Sequence, residues 1–217
     1  MFNSKLSNLG IVKVNYVCSA LTEALYLLCQ DELVNNAMLI DIGYLTTSVS
    51  VAKGCGLTNL FSFSLGGGHI MGDLAECLNI SIKEAEELKR KIVLSLQPSA
   101  NDFYEIQGLG KTKQIFTKLA NEIVSDRLDM ICSCINKCLK SCQSDEYMPI
   151  YLTGGGVSYM KGAKDYISKQ IGYNVGLISP PLAEFNKPHL SSLISLLAYA
   201  IKDKTKNKYG LVAKVFK

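Results

Sequence analysis

"LIDIGYLTTSVSV", residues 39–51, reads as a buried strand, a tight turn at Gly43 to Leu45 and a second strand rich in Thr, Ser and Val. The acid Asp41 sits at the lip of the turn, where it either handles a phosphate or simply ends a strand. Starting two residues earlier, "AMLIDIG" is nearly all apolar, as a central strand covered on both faces would be. "TTSVSVAKG" alternates and ends in glycine, and "LTNLFSFSL" alternates again before the glycines Gly66 to Gly68. Three strands joined by short turns predict an antiparallel meander.

On the N-terminal side the pattern predicts a short extended piece, "GIVKVNYV", and one helix over "SALTEALYLLCQDEL" with Leu21, Leu25 and Leu28 on one face. On the C-terminal side a helix follows in "HIMGDLAECL". Another starts after "NIS", where Ser81 and Glu84 form the S-x-x-E capping box. "QPSANDFYEIQGLG" has the composition of loops and hairpins, and a Cys-bearing helix runs to about Leu139. "MPIYLTGGG" is a strand ending in glycines that open the helix "SYMKGAKDYISKQIG", closed by Gly172. "YNVGLIS" is the last strand and "LSSLISLLAYAIK" the closing helix. The later strands are expected to be parallel, joined by right-handed crossovers in a mixed five-stranded sheet.

Composition narrows the function classes. With 217 residues, 48% hydrophobic and 19% charged, the chain can bury a full core. No apolar run approaches the ~20 residues of a membrane span, and the N-terminus lacks a secretory apolar region, so a cytoplasmic location is expected. The net charge of +4 is misleading, because residues 202–217 hold six Lys and one Asp, a net of +5, leaving −1 for residues 1–201. A nucleic-acid surface needs clustered positive charge on the folded body, so no nucleic-acid partner is expected. Of the eight cysteines, Cys132, Cys134, Cys138 and Cys142 share one amphipathic helix. Thiols along one stripe do not surround a tetrahedral ion, and a small apolar helix face is the better account.

Glycines at strand ends are the sequence's main functional signal. Gly43 follows Asp41, Gly66 to Gly68 open a helix, and Gly154 to Gly156 follow a strand. In α/β folds ligands sit at the C-terminal ends of strands, where glycine admits close approach and helix N-termini favour anions. Tight turns alone would also use glycine, but three clusters in this order shift the reading toward a nucleotide site.

Asp-Ile-Gly-x-x-Thr-Thr at 41–47, then "LGGGHIMGDLAECL", "EAEELK", "EIVSDRLDMI" and "YLTGGG" together resemble the actin-like ATPase superfamily, and within it the FtsA-like cell-division proteins. The resemblance runs from about Gly10 to Ile201. It implies a ribonuclease-H-like second lobe at 1–80 and 147–201, an inserted small α+β subdomain at 81–146 and a basic tail at 202–217. The Asp-x-Gly element that would open a first lobe does not occur before Asp41, so only half the family's fold is expected. By resemblance Asp41, Gly43, Thr46 and Thr47 form a phosphate hairpin, with Asp41 catalytic only opposite a first lobe and meeting magnesium through water. Gly67 and Gly68 join that site, Glu86 and Lys89 lie toward ribose and adenine, and Gly154, Gly155 and Gly156 lie against adenine and its α-phosphate. From the residues alone, Glu86 and Lys89 are simply a helical pair three apart, as a solvated surface pair would be.

The departures from the pattern matter as much. FtsA-like proteins usually carry Gly-Gly where Tyr44 and Leu45 stand, Asp where Ser48 stands and Thr where Met71 stands; Tyr and Leu disfavour both positive φ and room for phosphate oxygens. His69, beside Gly68, reads as a polar cap. ATP and magnesium are therefore expected to bind the isolated chain weakly or not at all. The implied role is a division adaptor that contributes half an ATP site and meets a tubulin-like division protein, a first-lobe partner or itself. In the tail, Leu211, Val212, Lys214, Val215, Phe216 and Lys217 could make weak contact with the inner face of the cell membrane. Alternatives are the second lobe of a pilus-assembly or chaperone-type ATPase, or a scaffold that has lost nucleotide.

Overall fold

The computed structural model describes residues 16–108, 111–142 and 147–209, with Asn8, Gly10 and Val14. The expected extended piece at 10–17 and the tail beyond Tyr209 lie largely or wholly outside them. Alternation builds the meander: β1 (Ala37–Ile42), β2 (Thr47–Lys53) and β3 (Gly56–Phe63) pair antiparallel, with Asp41 opposite Ser48 and Ile42 opposite Thr47. The later strands β6 (Ile150–Thr153) and β7 (Val175–Leu177) add in parallel on the other side of β1, giving the order β3-β2-β1-β6-β7. In that register Asp41 lies beside Thr153.

The two faces of β1 enter different cores, as a period of two dictates. Met38, Ile40 and Ile42 join the main cluster with Val49, Ile70, Leu128 and Ile135, while Ala37 joins a smaller one with Ala24, Leu28 and Leu33. Helix α5 (Thr117–Ser141) supplies much of the first core through Val124, Leu128, Ile131 and Ile135, spaced four, three and four apart. Cys132 and Cys138 are buried on it, and burial pushes the Cys132 thiol up to about 12, with Asp129 adding to the shift. Among the described residues no group of three or more His, Cys, Asp and Glu could hold a metal ion.

The single N-terminal helix of the sequence reading is two in the structure. Helix α1 (Ser19–Leu27) stops at Leu28, whose extended φ,ψ of −81°, 145° breaks the path, and α2 (Gln30–Val34) restarts with the Cys29 N–H donating to Glu32 Oε2 at 2.7 Å. Its buried side matches the leucine stripe only at Leu28. Leu25 is exposed, whereas Ala20, Glu23, Ala24 and Leu27 are buried. Ala24 joins Ala37 and Ala52 in the smaller cluster, and α1 also packs against the closing helix α7 (Ser191–Tyr209).

Helix α3 (Gly67–Cys77) leads to α4 (Ile82–Lys91), which carries the expected capping box: Glu84 N–H donates to Ser81 Oγ at 3.3 Å and Ser81 N–H to Glu84 Oε2 at 2.7 Å. Between α4 and α5, β4 (Phe103–Gln107) and β5 (Thr112–Phe116) form a two-stranded hairpin sheet. Arg127 of α5 forks onto Asp73 of α3 at 2.6 and 2.7 Å, tying the two helices. After β6 the glycines do not open a helix, a second correction. The chain makes a longer turn in which Val157 and Met160 are buried, and α6 (Ala163–Ile171) begins only after Gly162, at φ +82°. Gly172, at φ +78°, ends it, and its N–H donates to Ser168 O at 3.0 Å. Two 3-10 turns, Ala183–Phe185 and Pro188–Leu190, precede α7.

Candidate functional site

The three glycine clusters meet at one end of the sheet, backbone against backbone. Gly67 N–H donates to Gly43 O at 2.9 Å, Gly68 N–H to Tyr44 O at 2.7 Å and Gly156 N–H to Ile42 O at 2.7 Å. A methyl on Gly67 would overlap the Gly156 backbone, one on Gly156 would overlap Gly43 O, and one on Gly66 would fall 2.7 Å from Tyr44 O. These contacts require residues without Cβ, which is why the glycines are grouped as they are. Gly154, at φ +95°, turns the chain directly over Asp41, so that a methyl there would overlap Asp41 Oδ1.

Asp41 is half-buried at the end of β1, and its burial pushes its carboxyl up to about 6. A second buried carboxyl, which sequence reasoning passed over, interacts with it. Glu23, on α1, is 1% exposed and shares this face of the sheet with Asp41. Burial first, then the Asp41 charge, pushes its carboxyl up to about 7, against a hydrogen bond donated by Ser192. Ser192 sits in the first turn of α7, beside Ser191, whose hydroxyl meets Thr153 Oγ1 at 2.6 Å. A lone Glu among Ala and Leu in "SALTEALYLL" was the available signal.

On the other side of the junction, Lys89 is 3% exposed and donates to Gly67 O at 3.2 Å, while pairing with Glu86 at 3.1 Å. Glu86 also holds Arg90 at 3.0 Å, and the Arg90 guanidinium lies 5.2 Å from the centre of the Tyr159 ring. Tyr159 hydrogen-bonds His189, which packs under Gly155. Glu86, Lys89 and Gly154 to Gly156 thus belong to one contiguous, largely buried cluster with Arg90, Tyr159 and His189 at its edge, none of which local sequence pattern marks.

The hairpin residues fare differently. Thr46 is exposed at the turn, but Thr47 is fully buried and spends its hydroxyl on Leu65 O at 2.7 Å. His69 caps the start of α3 by accepting from Gly66 N–H at 3.1 Å. Tyr44 lays its ring over Gly68 and its hydroxyl 3.7 Å from Met71 Sδ. A cavity of about 660 Å³ lies elsewhere, between α1, α2 and α7, lined by Leu25, Tyr26, Leu33 and Tyr199. At the glycine junction itself Gly66, Gly67, Gly154 and Gly156 are buried.

Comparison with known proteins decides the family. The model of the family described as "Cell division protein FtsA" matches residues 38–195. The chain belongs to the FtsA family. Its FtsA relatives include those of Bacillus subtilis (strain 168), 26% identical over 180 residues covering 81% of this chain and 41% of that protein, and of Enterococcus faecalis, 28% identical over 200 residues covering 89% and 44%. The chain therefore spans less than half the length of these FtsA relatives. Among solved structures, MreB5 of Spiroplasma citri bound to ADP aligns with a TM-score of 0.74 at 16% identity, covering 96% of this chain and 66% of that one. The PilM-PilN type IV pilus biogenesis complex aligns at 0.65, also at 16% identity, covering 90% and 55%. These structures establish the actin-like ATPase fold expected of an FtsA-family chain.

On one side of the junction Lys89 Nζ is taken by Gly67 O and Glu86, and the N–H groups of Gly154 and Gly156 by Pro188 O and Ile42 O; on the other the α3 amides and the Thr47 hydroxyl are taken, while Thr46 stays exposed at the turn.

Proposed function

We propose that this FtsA-family chain works as a division adaptor lobe whose glycine junction is half of an adenine-nucleotide site. The convergence of Gly43, Gly67 and Gly156 in mutual backbone contact, with buried Lys89 alongside, is the observation that carries this reading. In this proposal residues 1–80 and 147–201 are the ribonuclease-H-like core, residues 81–146 the inserted subdomain, and residues 202–217 a basic tail that touches the inner face of the membrane. A first lobe, supplied by another chain or another segment, completes the site. Stabilisation of a transferring phosphoryl group requires preorganised charge on both sides of it, so turnover belongs to the completed pair.

The inserted subdomain is the proposed contact for a tubulin-like division protein. Its hairpin presents Phe103 and Phe116 as a cross-strand pair with ring centres 4.6 Å apart, 40% and 53% exposed, an apolar anchor of the kind interfaces use.

Titration with ATP and magnesium, followed by amide chemical shifts, tests the nucleotide assignment. Shifts are expected at Glu86, Lys89 and Gly154 to Gly156. Shifts confined to other surfaces, or none at millimolar ligand, would sink it.

A further inference from the structure

The cavity between α1, α2 and α7, about 660 Å³ in volume, shares no lining residue with the glycine junction. Helical spacing lays down two of its walls. Helix α1 contributes Thr22, Leu25 and Tyr26, and α7 contributes Ser195, Ala198, Tyr199 and Lys202, in each case three and four apart on one face. Backbone holds the third wall in place: Cys55 N–H donates to Leu33 O at 3.0 Å and Gly54 N–H to Val34 O at 3.2 Å, which fixes the β2–β3 turn on α2.

The room comes from α7. Its large side chains Leu193, Leu196, Leu197 and Ile201 are exposed, while the residues it gives the cavity begin with the small Ser195 and Ala198. A mostly apolar space of this size matches sites that hold one small organic molecule.

The polar groups of the wall set what that molecule carries. Two hydroxyls there are buried. Thr22 donates its own to Ser19 O at 2.8 Å, whereas Ser195 Oγ has no hydrogen-bond partner among the described residues. A buried hydroxyl left unpaired is a standing cost to the fold, which a ligand atom would remove. Lys202 is the only charged residue of the lining, and no acid opposes it there. It stands two helical turns beyond Ser195, about 10 Å along α7. An anion at that end meets a favourable charge, and a cation does not.

We propose that this cavity binds an elongated apolar molecule with a carboxylate at one end, toward Lys202, and a neutral hydrogen-bonding group about 10 Å away, toward Ser195. The assignment does not depend on the nucleotide reading.

The test is an amide-shift titration of the whole chain with the eight-carbon ω-hydroxy acid, whose extended length matches that spacing, with octanoate and with the eight-carbon diol. Shifts are expected at Leu25, Tyr26, Ala198 and Tyr199. The hydroxy acid is expected to bind about tenfold tighter than octanoate, the effect of pairing one buried hydroxyl. It is expected to bind about threefold tighter than the diol, a preference that fades with added salt and is lost in Lys202→Met. Ser195→Ala is expected to bring the hydroxy acid down to the affinity of octanoate, to leave octanoate unchanged, and to raise the thermal midpoint of the free chain, because the unpaired hydroxyl is gone. A Ser195→Ala variant that loses stability and keeps the tenfold preference overturns the role of that hydroxyl. Equal binding of all three ligands makes the cavity a mere apolar sink and overturns the ligand class. The site itself is overturned if no shifts appear around the cavity at millimolar ligand, or if affinity falls as protein concentration rises, which assigns the space to an interface between copies.

Discussion

A carboxyl that loses water on folding is a stability switch, and Glu23 is this molecule's clearest case. Its carboxyl is raised from 4.5 to about 7, so the stability tied to its protonated form is fully present below pH 4.5 and lost as pH rises through about 7. The loss amounts to about 3 kcal/mol, and Asp41 acts in the same direction over a lower window. Glu23→Gln keeps an acceptor for the Ser192 hydroxyl without the charge. It is expected to flatten the decline between pH 4.5 and 7 and to raise the midpoint of thermal unfolding at pH 8 by several degrees, as calorimetry across that range would show. Gly154→Ala tests the same corner sterically. A methyl at φ +95° against Asp41 Oδ1 is expected to destabilise by about 2 kcal/mol or more in denaturant titration.

At the scale of elements, what local pattern controls was legible and what distant packing controls was not. The β1–β3 meander follows from alternation and turn residues, and the start of α4 from Ser81 and Glu84. Ser81→Ala is accordingly expected to cost about 1 kcal/mol, measurable by chemical denaturation. The break at Leu28 was not legible, because nothing in the apolar run "YLLCQ" opposes helix; α2 is pinned by Glu32, which reaches Tyr151 across the sheet. The buried face of α1 depends on distant segments too: Ala24 joins Ala37 and Ala52 of the sheet in one small cluster, a contact that helical spacing alone does not announce. The glycine clusters announced a site, but that Lys89 would cap Gly67 and Tyr44 would lie over Gly68 depends on contacts 22 and 24 residues apart in sequence. Spacing within one segment carries no trace of them.

For the whole molecule, the proposed contact with a tubulin-like protein is a hairpin that touches α4, the helix of Glu86 and Lys89, through Lys91 Nζ donating to Glu105 O at 2.5 Å, so separating the two functions takes substitutions that leave α4 in place. Phe103→Ala with Phe116→Ala is expected to weaken that partner's binding about tenfold while leaving ATP-induced shifts at Gly154 to Gly156 in place. Loss of both together would instead report a collapsed subdomain.

The parallel pairing of β1 with β6 has a consequence for how the chain is made. Asp41 and Thr153 lie side by side in space but 112 residues apart in sequence. During synthesis the meander can close early on local contacts, while the free edge of β1, almost wholly apolar, waits for Ile150–Thr153 to emerge. The glycine junction therefore cannot close until residues 154–156 have emerged, and until then the open apolar edge of β1 is exposed to the wrong partners.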